Sequence, residues 1–438
     1  MADPKLQRVR GTQDLYGPEL ARFDHVVETF NRVRRLYGFR RVEVPVFEAT
    51  GVFARSLGET TDVVTKEMYT FIDKGNESVT LRPEFTAGIA RAYISNGWQQ
   101  HAPMKLATHG PAFRYERPQK GRFRQFHQLD AEIIGAGEPA ADVELIAFGD
   151  QLLKELAIAG KVTLQLNTLG DSATREAWRA ALVAHFGKHL DALSAESRDR
   201  LDRNPLRILD SKDAGDKAVA ADAPGIVAHL SVEAGAFFEA VQKGLQEAGV
   251  EYVRTAGLVR GLDYYRHTAF EFVTDHLGAQ GTVMGGGRYD GLIEAMGGPS
   301  TPAVGWAAGI ERLAMLVEEP KDERTTVIVI PANDEVEALS QDLARIMRQE
   351  SISCETIYRG SPKTKFEKAR KIDPKFIIAV AGDFIECEGL VAVSIRTLAS
   401  NIERDEFKAN IRGLLGKHYV IEQPRVGEEA RHDFRLRL

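Results

Sequence analysis

Two periods of hydrophobic and polar positions run along the chain, and the changes between them mark its parts. Leu20, Phe23, Val27, Phe30, Val33 and Leu36 recur at helical spacing and stop at Gly38, which predicts a helix over 19–38. FRRVEVPVFE (39–48) alternates as a strand does, with Pro45 marking an edge position. Several strand-like runs fill 78–135, followed by a helical pattern over about 140–158 and a strand in KVTLQLNTLG (161–170). Residues 171–250 are rich in Ala, Asp and Arg, with helical periodicity and almost no strand signal, so a helical module is expected inside a β-rich domain. Strand and glycine signals return over 251–310, closing with a helix near 310–317.

A charged junction, EEPKDERTT (318–326), separates this region from the remainder of the chain. TVIVIP, a helix over 334–350, SCETIY, a helix over 363–372, KFIIAVAG, LVAVSI and a helix over 403–414 then come in order. Strand and helix in alternation predict an α/β domain with a largely parallel sheet.

Composition narrows the function classes. No window of the 438 residues approaches the ~20 apolar residues of a membrane span. The opening MADPKLQRVRG is charged and lacks an apolar signal core, so secretion is not expected. Cys354 and Cys387 are too few for a disulfide framework or a four-cysteine zinc site, which fits a reducing cytosol. A net charge of -6 argues against a protein coated in nucleic acid, but leaves room for local basic strips. One strip holds Arg114, Arg117, Lys120, Arg122 and Arg124 around Glu116. The other holds Arg359, Lys363, Lys365, Lys368, Arg370, Lys371 and Lys375 with Glu367 and Asp373.

The candidate chemistry is densest in PAFRYERPQKGRFRQFHQLDAEIIG (111–135). It reads as a hairpin, with one strand ending near Tyr115, a basic Pro/Gly loop, and a second strand from Phe123. Alternation puts Arg124, Phe126, Gln128, Asp130 and Glu132 on one face and Gln125, His127, Leu129, Ala131 and Ile133 on the other. The first face suits a polar pocket, with arginines to meet phosphates and carboxylates to meet a base or an amine. In SVTLRPEFTAG (78–88), Arg82, Glu84 and Thr86 share a face if the strand runs through Pro83. VRGLDYYRHTAFEF (259–272) adds Arg260, Asp263, Tyr264 and Tyr265, and GIERL (309–313) presents Arg312 one turn into a helix. MGGGRYDGL (284–292) lacks the Gly-Lys-Ser/Thr of a phosphate loop, so its glycines predict close backbone approach along a pocket. His109, His127 and His267 have no nucleophile or metal partner at suitable spacing and read as packed or locally hydrogen-bonded.

Taken together, these segments resemble the histidyl-tRNA synthetase family of class II aminoacyl-tRNA synthetases, over nearly the whole chain. RGTQDLYGPE (10–19) looks like the family's opening. The stretch around Pro45 is similar to class II motif 1, FRYERPQKGRFRQFHQ (113–128) to motif 2 and AAGIER (307–312) to motif 3. RGLDYY (260–265) and GGGRYDG (285–291) resemble the two signatures of histidyl enzymes.

The resemblance implies an α+β catalytic domain with an antiparallel six-stranded sheet over 1–170 and 251–320. A helical insertion over 171–250 and a C-terminal α/β anticodon-binding domain over 325–438 complete it. It implies activation of histidine with ATP and magnesium, transfer to tRNA(His), a cytoplasmic homodimer built on motif 1, and no dedicated protein metal site. Arg114 would grip the ATP α-phosphate, with Arg260 opposite it as the second catalytic guanidinium. Glu116 would read the adenine amino group, Phe126 and Arg312 would stack on adenine, and Arg122 and Arg312 would reach the outer phosphates. Glu84, Thr86 and Gln128 would meet the histidine α-amino group, and Glu132, Tyr264 and Tyr265 its imidazole. Asp263 is expected to be structural support. Lys363, Lys365 and Lys368 would contact the anticodon stem.

Three features depart from the family pattern. Phe85 stands where a small or polar residue is usual, Tyr115 replaces a common histidine, and the tail 422–438 has no counterpart. The rival reading is a regulatory synthetase-like subunit of ATP phosphoribosyltransferase. Such paralogues typically lack the C-terminal domain and let the catalytic arginines drift; here Arg114, Arg260, Arg312 and a C-terminal module are all present.

Overall fold

A computed structural model describes residues 6–57, 61, 63–209, 211–258, 265–278, 281–320, 327–331, 333–349, 351–372, 374, 376–381, 384–388 and 393–394. The chain divides into two units between Pro320 and Lys321.

The first unit opens with helix α1 (Pro18–Leu36), which has Pro18 and Glu19 in its first turn and Arg34 and Arg35 in its last, as the helix dipole favours. It buries Val26, Phe30 and Val33. The predicted strand over 39–48 is broken: only β1 (Arg40–Arg41) and β2 (Phe47–Ala49) pair, with Pro45 in the gap. Helix α2 (Thr50–Leu57), β3 (Tyr69–Ile72), β4 (Ser78–Leu81) and α3 (Thr86–Ser95) come next. The strand predicted through Pro83 therefore ends at Leu81. The reason lies in Glu84, whose carboxylate accepts the N–H groups of Thr86 at 2.7 Å and Ala87 at 2.9 Å and so starts a helix there.

Beyond α3 lie β5 (Met104–Phe113), β6 (Gln125–Ile134), α4 (Pro139–Glu155) and β7 (Thr163–Thr168). Helices α5 (Ser172–Gly187), α6 (Ala195–Arg203), α7 (Ala214–Ala221) and α8 (Val232–Glu247) form the helical stretch. Asp171, Ser194, Asp213 and Ser231 cap them, each side chain accepting a backbone N–H. The unit closes with β8 (Val253–Arg254), β9 (Arg266–Val273), β10 (Thr282–Arg288), α9 (Leu292–Ala295), β11 (Ala303–Gly309) and α10 (Ile310–Ala314).

Eight strands form the main sheet in the order β1-β5-β6-β11-β10-β9-β7-β8. The inner six are antiparallel, as expected, and β1 and β8 extend the edges by short parallel pairings. Strands β5 and β6 pair from Met104↔Ile134 to Phe113↔Gln125, giving the site its longest rigid support. The pleat of β6 sends Leu129, Ala131 and Ile133 into a core shared with α1 and α4 and leaves Gln128, Asp130 and Glu132 on the opposite face. Phe238, Val241 and Leu245 of α8 belong to that same core, so the last helix of the 171–250 stretch is part of the sheet's own packing. A second sheet, β2-β4-β3, is antiparallel.

The second unit holds β12 (Val327–Pro331), α11 (Glu337–Gln349), β13 (Cys354–Thr356), α12 (Pro362–Ile372), β14 (Phe376–Ala381), β15 (Phe384–Glu388) and β16 (Val393–Ser394). Strands β13, β12 and β14 are parallel, and β12 buries both faces, which explains its unbroken apolar run. Strands β15 and β16 add antiparallel pairs that the alternating pattern did not predict. The helix expected over 403–414 and the tail 422–438 lie outside the described residues.

Candidate active site

A cavity of about 210 Å³ opens on the polar face of β6, floored by β10 and β11 and walled by the loop between β5 and β6, the start of α3, and α10. One end is cationic. Arg114 donates through Nε to the Pro83 carbonyl at 3.0 Å and lies 5.4 Å from the Phe126 ring centroid. Arg312 is anchored to the Gly121 carbonyl at 3.0 Å and the Thr282 carbonyl at 2.7 Å. Burial, then repulsion from Arg122, pushes its pKa down, with Arg114 adding to the effect. Concentrated positive charge held out of water is the electrostatic form of a polyphosphate site. Between the arginines, Arg122 Nε meets Glu116 Oε2 at 2.7 Å.

The other end is acidic and buried. Thr86 Oγ1 donates to Glu132 Oε1 at 2.7 Å, and the Tyr289 hydroxyl donates to Glu132 Oε2 at 2.5 Å. Burial pushes the Glu132 carboxyl up to about 8 in spite of these donors. Burial and the nearby Glu132 and Glu84 carboxylates hold Asp130 well above the usual range, and burial raises Glu84 as well. Gln128 Oε1 is buried at the cavity wall with no hydrogen-bond partner among the described residues. An acceptor left open in this way suits a ligand's donor.

The glycines make this end possible. Gly305 of β11 stands directly opposite Glu132, and a Cβ there would come within 1.5 Å of Glu132 Oε2. A Cβ on Gly287 would come within 2.9 Å of the Tyr265 ring. The expected close backbone approach is thus literal, with side chains occupying the space a β-carbon would need.

Residues 11–313 match the histidyl-tRNA synthetase family. The histidine–tRNA ligase of Novosphingobium aromaticivorans is 66% identical over 379 residues, 86% of this chain and 90% of that protein. The chain belongs to the histidyl-tRNA synthetase family. The histidine–tRNA ligase of Gluconobacter oxydans is 50% identical over 94% of this chain and 98% of its own length. The apo S. aureus histidyl-tRNA synthetase structure superposes with a TM-score of 0.76 at 30% identity, covering 92% of this chain and all of that one.

Of the residues singled out through the synthetase resemblance, Glu84, Thr86, Arg114, Glu116, Arg122, Phe126, Gln128, Tyr265 and Arg312 all line the one cavity, and Glu132 lies directly behind it. Arg260, Asp263 and Tyr264 lie outside the described residues. Alternation found the β6 set, but Glu84 and Thr86 reach the cavity from a helix start rather than from a strand face. Tyr289 and Glu311 were missed. Tyr289 sits in the GGGRYDG signature, where glycines conceal the parity of the strand. Glu311 lines the cavity and accepts the His127 backbone N–H at 3.0 Å and His127 Nδ1 at 2.8 Å, which gives that histidine its local partner.

The lysine strip needs correction. Lys363 and Lys368 are exposed, Lys368 donating to the Arg359 carbonyl at 3.0 Å, but Lys365 is only 7% exposed and points to Glu337 at 3.5 Å. Its place on α12 turns it toward α11, so it cannot share an RNA-facing row with the other two. Among the described residues no three His, Cys, Asp or Glu side chains gather as a metal site, and no helix is long and apolar enough to cross a membrane.

Proposed function

We propose that this chain activates histidine with ATP to histidyl-adenylate and transfers the histidyl group to tRNA(His), as a homodimer. The observation that carries this reading is one cavity with a cationic end at Arg114 and Arg312 and a buried acidic end at Glu84, backed by Glu132 behind Thr86 and Tyr289, in a member of this family. A histidine carboxylate oxygen attacks the α-phosphorus, and pyrophosphate departs with the electron pair of the broken P–O bond. Arg114, with Arg260, offsets the charge that builds on the α-phosphate. Phe126 and Arg312 stack on adenine and Glu116 reads its amino group, while Arg122 and Arg312 reach the outer phosphates. ATP must therefore draw Glu116 and Arg122 out of their mutual ion pair. Magnesium enters as part of the substrate, on the ATP phosphates.

Thr86, Gln128 and Glu84 take the α-amino group. Glu132, Tyr264 and Tyr265 take the imidazole, and Tyr289 fixes Glu132 from behind. A terminal ribose hydroxyl of the tRNA then attacks the activated carbonyl and AMP leaves. The second unit supplies the anticodon contact, with Lys363 and Lys368 as its phosphate-facing bases. The regulatory-subunit reading is not favoured, because relatives at 50–66% identity over most of their length are histidine–tRNA ligases.

The dimer reading rests on β2-β4-β3. Phe47, Leu81 and Tyr69 stand in one cross-strand row and Ala49, Val79 and Phe71 in the next, so one face of this sheet is apolar throughout. Phe47 is 56% and Phe71 47% exposed, as expected of a surface that a second copy covers.

The test is histidine-dependent ATP–pyrophosphate exchange, followed by aminoacylation of tRNA(His) across a salt series. Exchange that requires histidine and resists its close analogues is expected. Substituting Lys363 and Lys368 with Ala should leave exchange intact and flatten the salt slope of aminoacylation by about two. No exchange with histidine would refute the activity. An unchanged slope would move the RNA contact elsewhere.

A further inference from the structure

The helical stretch leaves the main sheet beside the start of β9, which Tyr265 directly precedes, and the junction is tied at several points. The Leu169 N–H donates to the His267 carbonyl at 2.6 Å, and the His267 N–H donates to the Gly170 carbonyl at 2.8 Å. Asp171 caps α5 by accepting the Thr174 N–H at 2.7 Å, and its other oxygen accepts the Ser231 hydroxyl at 2.6 Å. The Ser231 N–H donates to Thr174 Oγ1 at 3.0 Å, and Ser231 itself caps α8. The first turns of α5 and α8 are thus fastened to each other and, through residues 169 and 170, to the start of β9.

One residue beyond Thr174, Arg175 closes the knot. Its Nη1 donates to the Tyr265 carbonyl at 3.0 Å, and Arg266 Nη1 donates to the same oxygen at 3.1 Å. Arg266 directly follows its acceptor in the chain, so its bond is a local one. Arg175 comes from the helical stretch, 90 residues away in sequence, and is half-buried. Tyr265 is 7% exposed, lines the cavity, and rests its ring on the Gly287 backbone. Its position is therefore set from two sides, by the glycine floor below the ring and by Arg175 at the main chain.

We propose that Arg175 is a positioning residue for histidine recognition, making the first turn of α5 a mechanical part of the amino-acid end of the site. This rests on reading that end of the cavity as the histidine subsite. A charged donor on a neutral carbonyl is a strong, directional tether, and a small error in the placement of a recognition group is costly. Arg175 touches no reacting atom, so its loss should weaken histidine binding and spare the chemical step once the site is filled.

The test is steady-state ATP–pyrophosphate exchange with the full chain. Arg175→Met keeps the apolar stem and removes the donor. It should raise KM for histidine about tenfold, the loss of one charged hydrogen bond, and leave KM for ATP and kcat within about threefold. Arg175→Lys retains a charged donor on a single nitrogen and should recover most of that loss. The exposed Glu176→Gln on the same helix should change nothing. An unshifted KM for histidine in Arg175→Met, or an equal rise in KM for ATP, overturns the proposal. If Arg175→Met fails to fold, Arg175→Lys decides: a histidine KM raised about threefold upholds it and an unchanged one overturns it. A wild-type chain whose exchange ignores histidine strikes the subsite reading itself, and the proposal falls with it.

Discussion

Glu132 shows what a single buried carboxyl does to a recognition site. Its unfolded pKa is about 4.3, and burial raises it in the folded chain to about 8. Because the folded value is the higher, the group's contribution to stability is full below about pH 4.3 and declines as pH rises through 8. The ligand-free protein should therefore lose melting temperature between pH 5 and pH 8, and Glu132→Gln should make that loss shallower. Parallel melting curves for the two proteins across this range would show that the residue's burial is not strained. The same substitution should weaken histidine binding about tenfold or more, since a bound imidazole N–H can draw the carboxyl into its charged form whereas an amide has none. Glu132 was legible in the sequence because strict alternation on β6 carries it, with Phe126 and Gln128, to one face. Tyr289 was not, although it holds Glu132 at 2.5 Å, because no pattern within a glycine run says which way a side chain points. Lys365 looked like its neighbours in charge, and only the packing of α12 on α11 distinguishes it.

At the scale of elements, long periodic segments could be read and short ones could not. The helices at 18–36 and 139–155 and the strands at 163–168 and 327–331 fall where periodicity puts them. The segment at 78–88 misled because a carboxylate cap overrode a strand pattern. Helices α5–α8 were expected from composition, yet nothing in their sequence revealed how they are held. Asp216 of α7 is a good part of the answer. It accepts the Ser194 N–H and hydroxyl at 2.8 Å each and the Ser197 and Ser211 hydroxyls at 2.6 Å each. Burial alone would raise its pKa, but the donors outweigh it and hold the carboxyl down to about 2. A depressed folded value means the stabilisation is complete above about pH 3.9 and lost as pH falls toward 2. Asp216→Ala strands several buried donors and should cost about 1–3 kcal/mol at neutral pH. Proteolysis within 190–216, accelerated in the variant at pH 7 and converging with wild type near pH 2–3, is the expected result. Equal protease resistance at pH 7 would remove Asp216 from the account.

For the molecule as a whole, the antiparallel centre of the main sheet followed from the synthetase resemblance and the parallel start of the second unit from patterning, whereas β15 followed from neither, since a hairpin needs only a short turn. The apolar face of β2-β4-β3 makes assembly the remaining question. Sedimentation at micromolar concentration should give twice the chain mass, and Phe47→Asp with Phe71→Asp should give the single mass; a wild-type chain that is active and monomeric would sink the dimer. That face also touches catalysis. Tyr69 packs edge-on against Tyr115 at 5.7 Å, the Tyr115 N–H donates to the Glu67 carbonyl at 2.7 Å, and the Arg124 guanidinium lies 3.9 Å above the Tyr115 ring. The loop that carries Glu116 and Arg122 is thus braced from the same sheet that the proposed dimer would cover. If two copies cover this face as proposed, dilution is no neutral act. Separation of the copies should slacken the bracing of that loop and leave the histidine end, built on the inner strands, as it was, so that turnover per molecule drops on dilution and KM for ATP rises before KM for histidine.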